Sequence, residues 1–558
     1  MKKLILLIAL PFSLHAGVRC VDNDNASSQI GSSLYPYSSI QTAIVNAVEN
    51  DTIKVAAGSY EQIDNLGKSL VILGGYIGGT ASAYANGTGG NFTTRTADPT
   101  LTIISGGVNN IGVNLTRFDS NPFSLVFDNF TVRNSMKGIV CDVEVSWPHV
   151  ENVTISSNII ENNGQAGVTT LGAGLLVAGE NHLIVNNIIR NNHGGRGAGI
   201  SRSGVPINLL IEGNVIENNT GYDDHAAGVY LDGDVTIRNN VISGNYLQNS
   251  YGWGGGVLIL GTAYMSFNVI KDNFCPTYGA AVFVDEGGIA YMDNELIYGN
   301  NTSYTDWGGA GVALDYGDPG SSYVYMTNCT IANNYSSGSS DGNAVFVDGS
   351  SYASLKNCIM YGNGDDFFVT PGSGLTATYT LSQEGIAGQG NFTADPYFAD
   401  PVNEVFQLKS LGGRYDPTAE DWVIDDVHSP AIDAGDPTSP FNNEPVPNGN
   451  RINLGCYGNT YNSSKSFTTS VGEHIFGEKN VEITLYPNPT SGAFELNIEN
   501  LLINKGELAI FNVLGEKVYQ TEIFHSSSDI QLNLPEGVYF YQVRNQTEVI
   551  GMDKLVIR

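Results

Sequence analysis

His193, Arg196, Tyr222, Asp223, Asp224 and His225 are the residues of this chain whose types and spacing suggest chemistry. They lie in two short stretches, each following an asparagine (Asn192 and Asn219). A histidine serves as general base near neutral pH, an arginine neutralises charge derived from a substrate carboxylate, and paired carboxyls hydrolyse glycosidic bonds. His193, Asp223, Asp224 and His225 are therefore the catalytic candidates for a uronate-type polymer. Arg196, Tyr222, Tyr251, Trp253, Tyr278, Tyr304 and Trp307 are the ligand-binding candidates, because aromatic faces stack on sugar rings. Tyr246, Phe274 and Asp306 accompany them. The same residues also suit solvated turns, with Arg196 and Asp223 a surface ion pair of small energetic value.

These residues form one surface only if stretches far apart in sequence are stacked. A recurring unit supplies the stacking. It begins at Asn129, Asn158, Asn187, Asn214, Asn240 and Asn268, with looser copies at Asn294, Asn328 and Asn357. In its regular form the Asn is followed by Ile-Ile or Val-Ile, and successive copies start 26 to 34 residues apart. Upstream of most copies sits a small-residue triplet: Gly172-Ala173-Gly174, Gly197-Ala198-Gly199, Ala226-Ala227-Gly228, Gly254-Gly255-Gly256. A fixed period of this length means stacked supersecondary units. Gly and Asn inside every unit disfavour helices, and the short β-branched runs favour strands. Asn tolerates the left-handed backbone of a tight corner, and stacked Asn side chains can form a hydrogen-bonded ladder. Arg196 and Asp223 each lie four residues past their Asn, so stacking makes them neighbours about 4.8 Å apart along the solenoid.

This repeat resembles the right-handed parallel β-helix proteins, over residues 18–461. The resemblance implies an all-β solenoid with a capped N-terminus. Ser39 to Val48 has apolar residues at helical spacing and fits the capping helix, and Asp51 to Tyr60 fits the first strand and turn. Such a cap covers an open end of apolar core and unpaired strand edges. Ser429 to Gly435 and Asn453 to Gly458 resemble motifs that close the far end. Fold resemblance does not transfer activity, since this solenoid hosts lyases, hydrolases, adhesins and structural proteins.

From residue 480 the pattern changes to compact alternating strands with turn signals, as in a small Ig-like β-sandwich. The block 480–558 resembles the type A C-terminal sorting domain of type IX secretion. The residues that carry the resemblance are Pro487, Asn488, Pro489, Gly492, Gly515, Gly537, Tyr539 and Lys554. It implies export to the periplasm and passage across the outer membrane by the type IX machinery, with release or surface attachment. Residues 462–479 read as a polar linker. Residues 1–16 read as a signal peptide, with Lys2 and Lys3 before an apolar run too short to span a bilayer. Arg19 before Cys20 argues against a lipoprotein signal, and no other stretch is long enough to be transmembrane.

A formal charge of −31 over 558 residues repels phosphate backbones and anionic lipid, so nucleic acid is not an expected partner. Six scattered cysteines without a C-x-x-C pair give no zinc site. Asp22-Asn23-Asp24-Asn25 offers oxygen ligands suited to calcium but lacks EF-hand spacing; no other cofactor is indicated. Cys329 and Cys358 each follow an Asn, where earlier units have Ile or Val, so they are expected to stack as a disulfide or as two buried thiols. No motif set of pectate lyases, polygalacturonases or chondroitinase-type lyases is found. The expected function is glycan binding or adhesion without catalysis, with a polysaccharide lyase or glycoside hydrolase, or a structural envelope protein, as the alternatives.

Overall fold

The computed structural model describes residues 16–116, 124–141, 152–202, 208–303, 308–315, 320–337, 342–467, 482–499, 501, 503, 505–512, 515–545 and 548–558. Tyr304, Asp306, Trp307, most of the expected linker and nearly all of the expected signal peptide lie outside the described residues. The chain forms two compact units, Met1–Phe467 and Thr468–Arg558.

In the first unit, one coil runs from Leu209–Glu212 through Val215–Glu217, the two-residue strand Thr220–Gly221 and Val229–Leu231, and returns to Val235–Arg238. Each strand pairs in parallel with its counterpart one coil later. Side chains alternate in and out. Along the large sheet the inward column reads Ile211, Ile237, Met265, Met292, Met326, Leu355, none more than 2% exposed. This column and its equivalents on the other strands form one continuous apolar core.

Each of two corners per coil uses two consecutive residues. At the first, a left-handed residue (Ser157, Asn186, Gly213, Asn239, Phe267, Asn294, Asn328, Asn357; φ between 52° and 66°) turns the chain. The next residue points inward and forms the ladder: Asn158, Asn187, Asn214, Asn240, Asn268, each Nδ2 donating to the next Oδ1 at 2.9–3.1 Å. Asn268 donates to Glu295 at 2.9 Å, and Cys329 and Cys358 follow in register. This corrects the sequence alignment of Asn129 and of the looser copies. Asn129, Asn294, Asn328 and Asn357 are turn residues, one position before the ladder, so the two cysteines occupy ladder positions and not Ile or Val positions. A second ladder, Asn163, Asn192, Asn219, Asn245, Asn273, Asn300, Asn334, Asn363, runs along the other corner. The small triplet packs against it: a Cβ on Gly199 would stand 2.6 Å from the Gly228 carbonyl and 3.0 Å from Asn219 Nδ2.

The helix α1 (Ile40–Asn46) covers the N-terminal end, burying Ile40, Ala43 and Ile44 in the solenoid core. The C-terminal motifs do not close the opposite end. The chain from Phe398 to Cys456 instead folds back along the flank, packing Phe398, Phe406, Leu408, Ile432 and Leu454 on Leu296, Tyr298, Ala332 and Ile359. Asn294 Nδ2 donates to the carbonyls of Cys456 and Gly458, and Lys271 pairs with Glu404 at 2.6 Å. The outward residues of these strands are apolar, so this flank needs a cover.

That cover contains a buried carboxyl. Glu444 Oε1 accepts from the backbone N–H of Asn453 and Asn459 at 2.9 and 2.8 Å, and burial pushes its carboxyl up to about 7. Glu295, fully enclosed in the ladder, is shifted the same way by burial. A folded-state value above the unfolded one gives stability that is complete below about pH 4.5 and is lost as pH rises through about 7. Glu444 alone accounts for about 3 kcal/mol at 1.4 kcal/mol per unit. The thermal midpoint is expected to fall from pH 5 to pH 7.5, and Glu444→Gln to flatten that fall; differential scanning across this range measures both.

The second unit is an antiparallel sandwich. One sheet orders Glu482–Tyr486, Ala493–Glu499 and Ser527–Gln531; the other orders Lys517–Ile523, Gly506–Phe511, Gly537–Asn545 and Glu548–Ile557. Leu496, Leu508, Ile510, Val543 and Leu555 are fully buried between them.

Candidate functional site

Stacking brings the first group of candidates together. His193 and Thr220 are paired residues on adjacent coils, and His193 Nδ1 lies 3.1 Å from the Tyr222 hydroxyl. Arg196 lies 3.6 Å from Asp223 and 3.4 Å from Asp224, so its charge is shared by both carboxylates. Asp224 also bonds His225 Nδ1. Burial pushes the Asp224 carboxyl up, but its bonds to His225 and Asp223 and the nearby Arg196 charge hold it below the ordinary carboxylate value. His225 is only 8% exposed, with Trp253 and Tyr230 edge-on to its ring at 5.2 and 5.9 Å. The network satisfies itself: the cation faces two acids, and the histidine beside them is walled in.

The aromatic turn residues divide into two groups. Tyr278 is buried, stacked on Phe283 at 5.8 Å and packed against Phe346 at 5.3 Å. Half-buried Trp253 packs on Phe283 as well. These loops fold over the outward face of strands such as Val257–Ile259, Val282–Val284 and Val345–Val347, whose outward Leu258, Phe283 and Phe346 need cover. Tyr278 is thus a packing residue, with no ring face free for a ligand. Tyr246, stacked on Phe274 at 4.7 Å, and Tyr251, 64% exposed, remain open to solvent.

A second aromatic surface was not anticipated from the sequence. On the outer side of the large sheet, Tyr264, Tyr291 and Tyr325 stand in register on three successive coils, each about half exposed. Their ring centroids are 5.2 and 5.1 Å apart with interplanar angles of 8° and 12°. Tyr323 and Tyr352 add a second short row, at 5.7 Å and 15°. Rings lying side by side in one plane do not fit at such spacings, so they overlap face to face and turn their edges and hydroxyls outward. Thr262, Ser266, Thr327 and Ser354 flank them on the same face. The signal was present as three strands alternating small or Met residues with Tyr: Ala263-Tyr264-Met265, Ala290-Tyr291-Met292, Val324-Tyr325-Met326. Immediately past the Tyr264 strand, left-handed Phe267 lines a cleft of about 380 Å³ with Leu296, Tyr457 and Tyr461.

The acidic N-terminal segment is committed to structure. Asp22 accepts from the N–H groups of Asp24 and Gly79 and from the Tyr84 hydroxyl, and Asn25 bonds the Ser28 and Pro36 carbonyls. Among the described residues no three His, Cys, Asp or Glu side chains are grouped to hold a metal.

In the sandwich, the motif residues shape turns and tie down the last strand. Asn488 Nδ2 donates to the Lys554 carbonyl at 2.7 Å and its Oδ1 accepts from Val556 N–H at 2.9 Å. Gly492 and Gly515 adopt φ of 106° and 80°, conformations a side chain would strain. The Tyr539 hydroxyl donates to the Pro535 carbonyl at 2.9 Å, pinning the turn that Gly537 leaves. Pro487 and Pro489 flank Asn488, and Lys554 is exposed.

Comparison with known proteins agrees with both units. The family described as "Right handed beta helix region" matches residues 108–294 and 255–388, and "Secretion system C-terminal sorting domain" matches residues 484–558. No curated protein matches the chain. Similar solved structures include a crystal structure of the pectate lyase Pel9A, at 12% identity and TM-score 0.39, covering 80% of this chain and 97% of that one. A complex of XylC with xylose is similar at 9% identity and TM-score 0.34, covering 92% and 98%. Among the described residues no helix is long and apolar enough to cross a membrane. With its parallel coils, its two asparagine ladders and a matched sorting tail, the chain belongs to the right-handed β-helix family and is secreted to the cell surface or beyond through a type IX C-terminal sorting domain.

Proposed function

We propose that the secreted solenoid binds an extended, uncharged polysaccharide along its tyrosine-bearing face and does not cleave it. The observation that carries this reading is the row Tyr264, Tyr291, Tyr325, stacked at 5.1–5.2 Å and exposed on a parallel sheet. A row of phenol edges and hydroxyls flanked by Ser and Thr offers apolar contact and hydrogen bonds at a regular interval, which suits a regular polymer. Each rung contributes weakly, and several engaged together give avidity. The net charge of −31 repels uronate chains, so a neutral polymer is favoured over the substrates of a pectate-type lyase. Arg196, the cation that lyase chemistry would use, is already neutralised by Asp223 and Asp224.

The test is depletion of the mature protein from solution by a panel of polysaccharides: cellulose, xylan and mannan against polygalacturonate, at low salt. Unsaturated-product absorbance and reducing ends are followed in parallel. Retention on at least one neutral polymer, weak retention on polygalacturonate and no product are expected. Product release would establish the lyase or hydrolase alternative, and absence of retention throughout would leave a structural envelope role.

A further inference from the structure

We propose that Cys329 and Cys358 form a disulfide in the exported protein, joining two successive coils. The two residues occupy consecutive rungs of the first ladder, next to the paired residues Thr330 and Ile359. In-register parallel strands place such Cα atoms about 4.8 Å apart, inside the range a disulfide spans. Both side chains are fully buried, and each thiol perturbs the protonation of the other.

Their other contacts are weak. Cys329 Sγ lies 3.4 Å from the Met292 and Thr327 carbonyls, and Cys358 Sγ lies 3.6 and 3.2 Å from those of Met326 and Lys356. These are the sites that Nδ2 fills on other rungs: Asn187 Nδ2 donates to the Ile155 and Val185 carbonyls. A thiol there has one weak donor hydrogen and a weakly accepting sulfur, where an amide has two donors and a strong acceptor. The polar ladder therefore stops at Glu295, and the next two rungs carry cysteines. The other cysteines have no such arrangement: Cys141 faces Val177 on the next coil, and Cys20, Cys275 and Cys456 belong to separate clusters.

The sorting domain takes the chain out of the reducing cytosol into compartments where disulfides form and persist. Bond formation is a thiol–disulfide exchange with a protein disulfide oxidant. One cysteine, as thiolate, attacks an oxidant sulfur and releases one oxidant thiol. The second cysteine then attacks the mixed disulfide, forming the Cys329–Cys358 bond and releasing the second oxidant thiol. Two protein thiols are oxidised and one oxidant disulfide is reduced. Because both sulfurs end fully buried, the exchange takes place while these coils close.

The test uses full-length chain recovered after export, denatured without reductant in an alkylating reagent, digested and weighed. The expected result is a linked peptide pair containing Cys329 and Cys358, lighter by two hydrogens than the sum of the free peptides, with Cys20, Cys141, Cys275 and Cys456 alkylated. In Cys358→Ser, Cys329 is expected to become alkylated while the labelling of the other four stays unchanged. Full alkylation of both Cys329 and Cys358 in the exported wild type would overturn the proposal, as would a linkage of either one to a different cysteine.

Discussion

Replacing Asn219 by Leu is expected to destabilise the solenoid by about 3 kcal/mol or more, the amount that follows from stranding several buried polar groups. Asn219 is fully buried. Its Oδ1 accepts from the backbone N–H and Nδ2 of Asn192 at 3.1 and 2.9 Å, and its Nδ2 donates to the Ile189 carbonyl at 3.0 Å and to Asn245 Oδ1 at 2.9 Å. Leucine nearly matches the shape but makes none of these bonds. The Asn192 N–H and one Asn192 amide hydrogen lose their acceptor, and the Ile189 carbonyl loses a donor. The Asn219 amide packs beside Gly199, where a Cβ would stand only 3.0 Å from Asn219 Nδ2, so the space for a leucine methyl is tight. A solenoid melts by neighbouring coils and not as one unit. Limited proteolysis is therefore the sharper measurement, with new cleavage expected in the loops on either side of Asn219 together with a lower chemical unfolding midpoint. Asn208→Gly is the comparison, since Asn208 is exposed and left-handed, and among the described residues its side chain bonds the exposed Asn181. It is expected to leave both measurements nearly unchanged.

The ladder also shows how far the repeat could be read from sequence. The period, the strand content and the role of asparagine at corners followed from composition and spacing. Register did not, because each corner needs two residues in sequence, one left-handed and one pointing inward, and asparagine suits both. Where a corner reads Asn-Asn, as at Asn162-Asn163 or Asn333-Asn334, both roles are filled. Where it reads Asn294-Glu295 or Asn328-Cys329, the asparagine takes the turn and another residue enters the ladder. Only the hydrogen bonds between coils separate the two cases. The C-terminal motifs were misplaced for a related reason: strands such as Leu296–Tyr298 are apolar on both faces, which signals a covered flank and not merely a core.

The same test, whether a strand alternates or not, separates the two aromatic surfaces. Val282-Phe283-Val284 and Val345-Phe346-Val347 lack a polar position, so their outer faces had to be covered, and Trp253 and Tyr278 in the adjoining loops supply the cover. Aromatics in those loops suggested a ligand-binding surface because loops are usually exposed. Tyr264, Tyr291 and Tyr325 alternate with small or sulfur-bearing core residues, and period 2 places them on the outside. The stacking of Arg196 on the Asp223–Asp224 pair, by contrast, was legible, because both stretches keep the same offset from a ladder asparagine.

The Tyr264→Ala, Tyr291→Ala, Tyr325→Ala triple variant is expected to lose at least about 100-fold in affinity for the neutral polymer that retains the wild type, if each ring contributes about 1 kcal/mol and a tenfold change is worth 1.4 kcal/mol. Folding should survive. The rings are 53, 39 and 43% exposed, their Met neighbours remain in the core, and cross-strand pairs of this kind are worth only about 0.2–1 kcal/mol each. Substituting the same three residues by Phe keeps the stacked edges and removes the hydroxyls. If the hydroxyls supply part of the recognition, the Phe variant falls between wild type and the Ala variant; if ring edges alone matter, it matches wild type. Tyr251→Ala removes the most exposed of the turn aromatics without touching the sheet face. Equal loss from Tyr251→Ala and from the triple variant would place the binding surface on the turns and defeat the ladder reading. Binding should also rise steeply with oligosaccharide length until the chain spans the three rungs, because each added contact is made by a ligand already held in place. A flat dependence on length, with saturation by a single sugar, would instead point to one closed pocket, and the cleft beside Phe267 would then be the place to look.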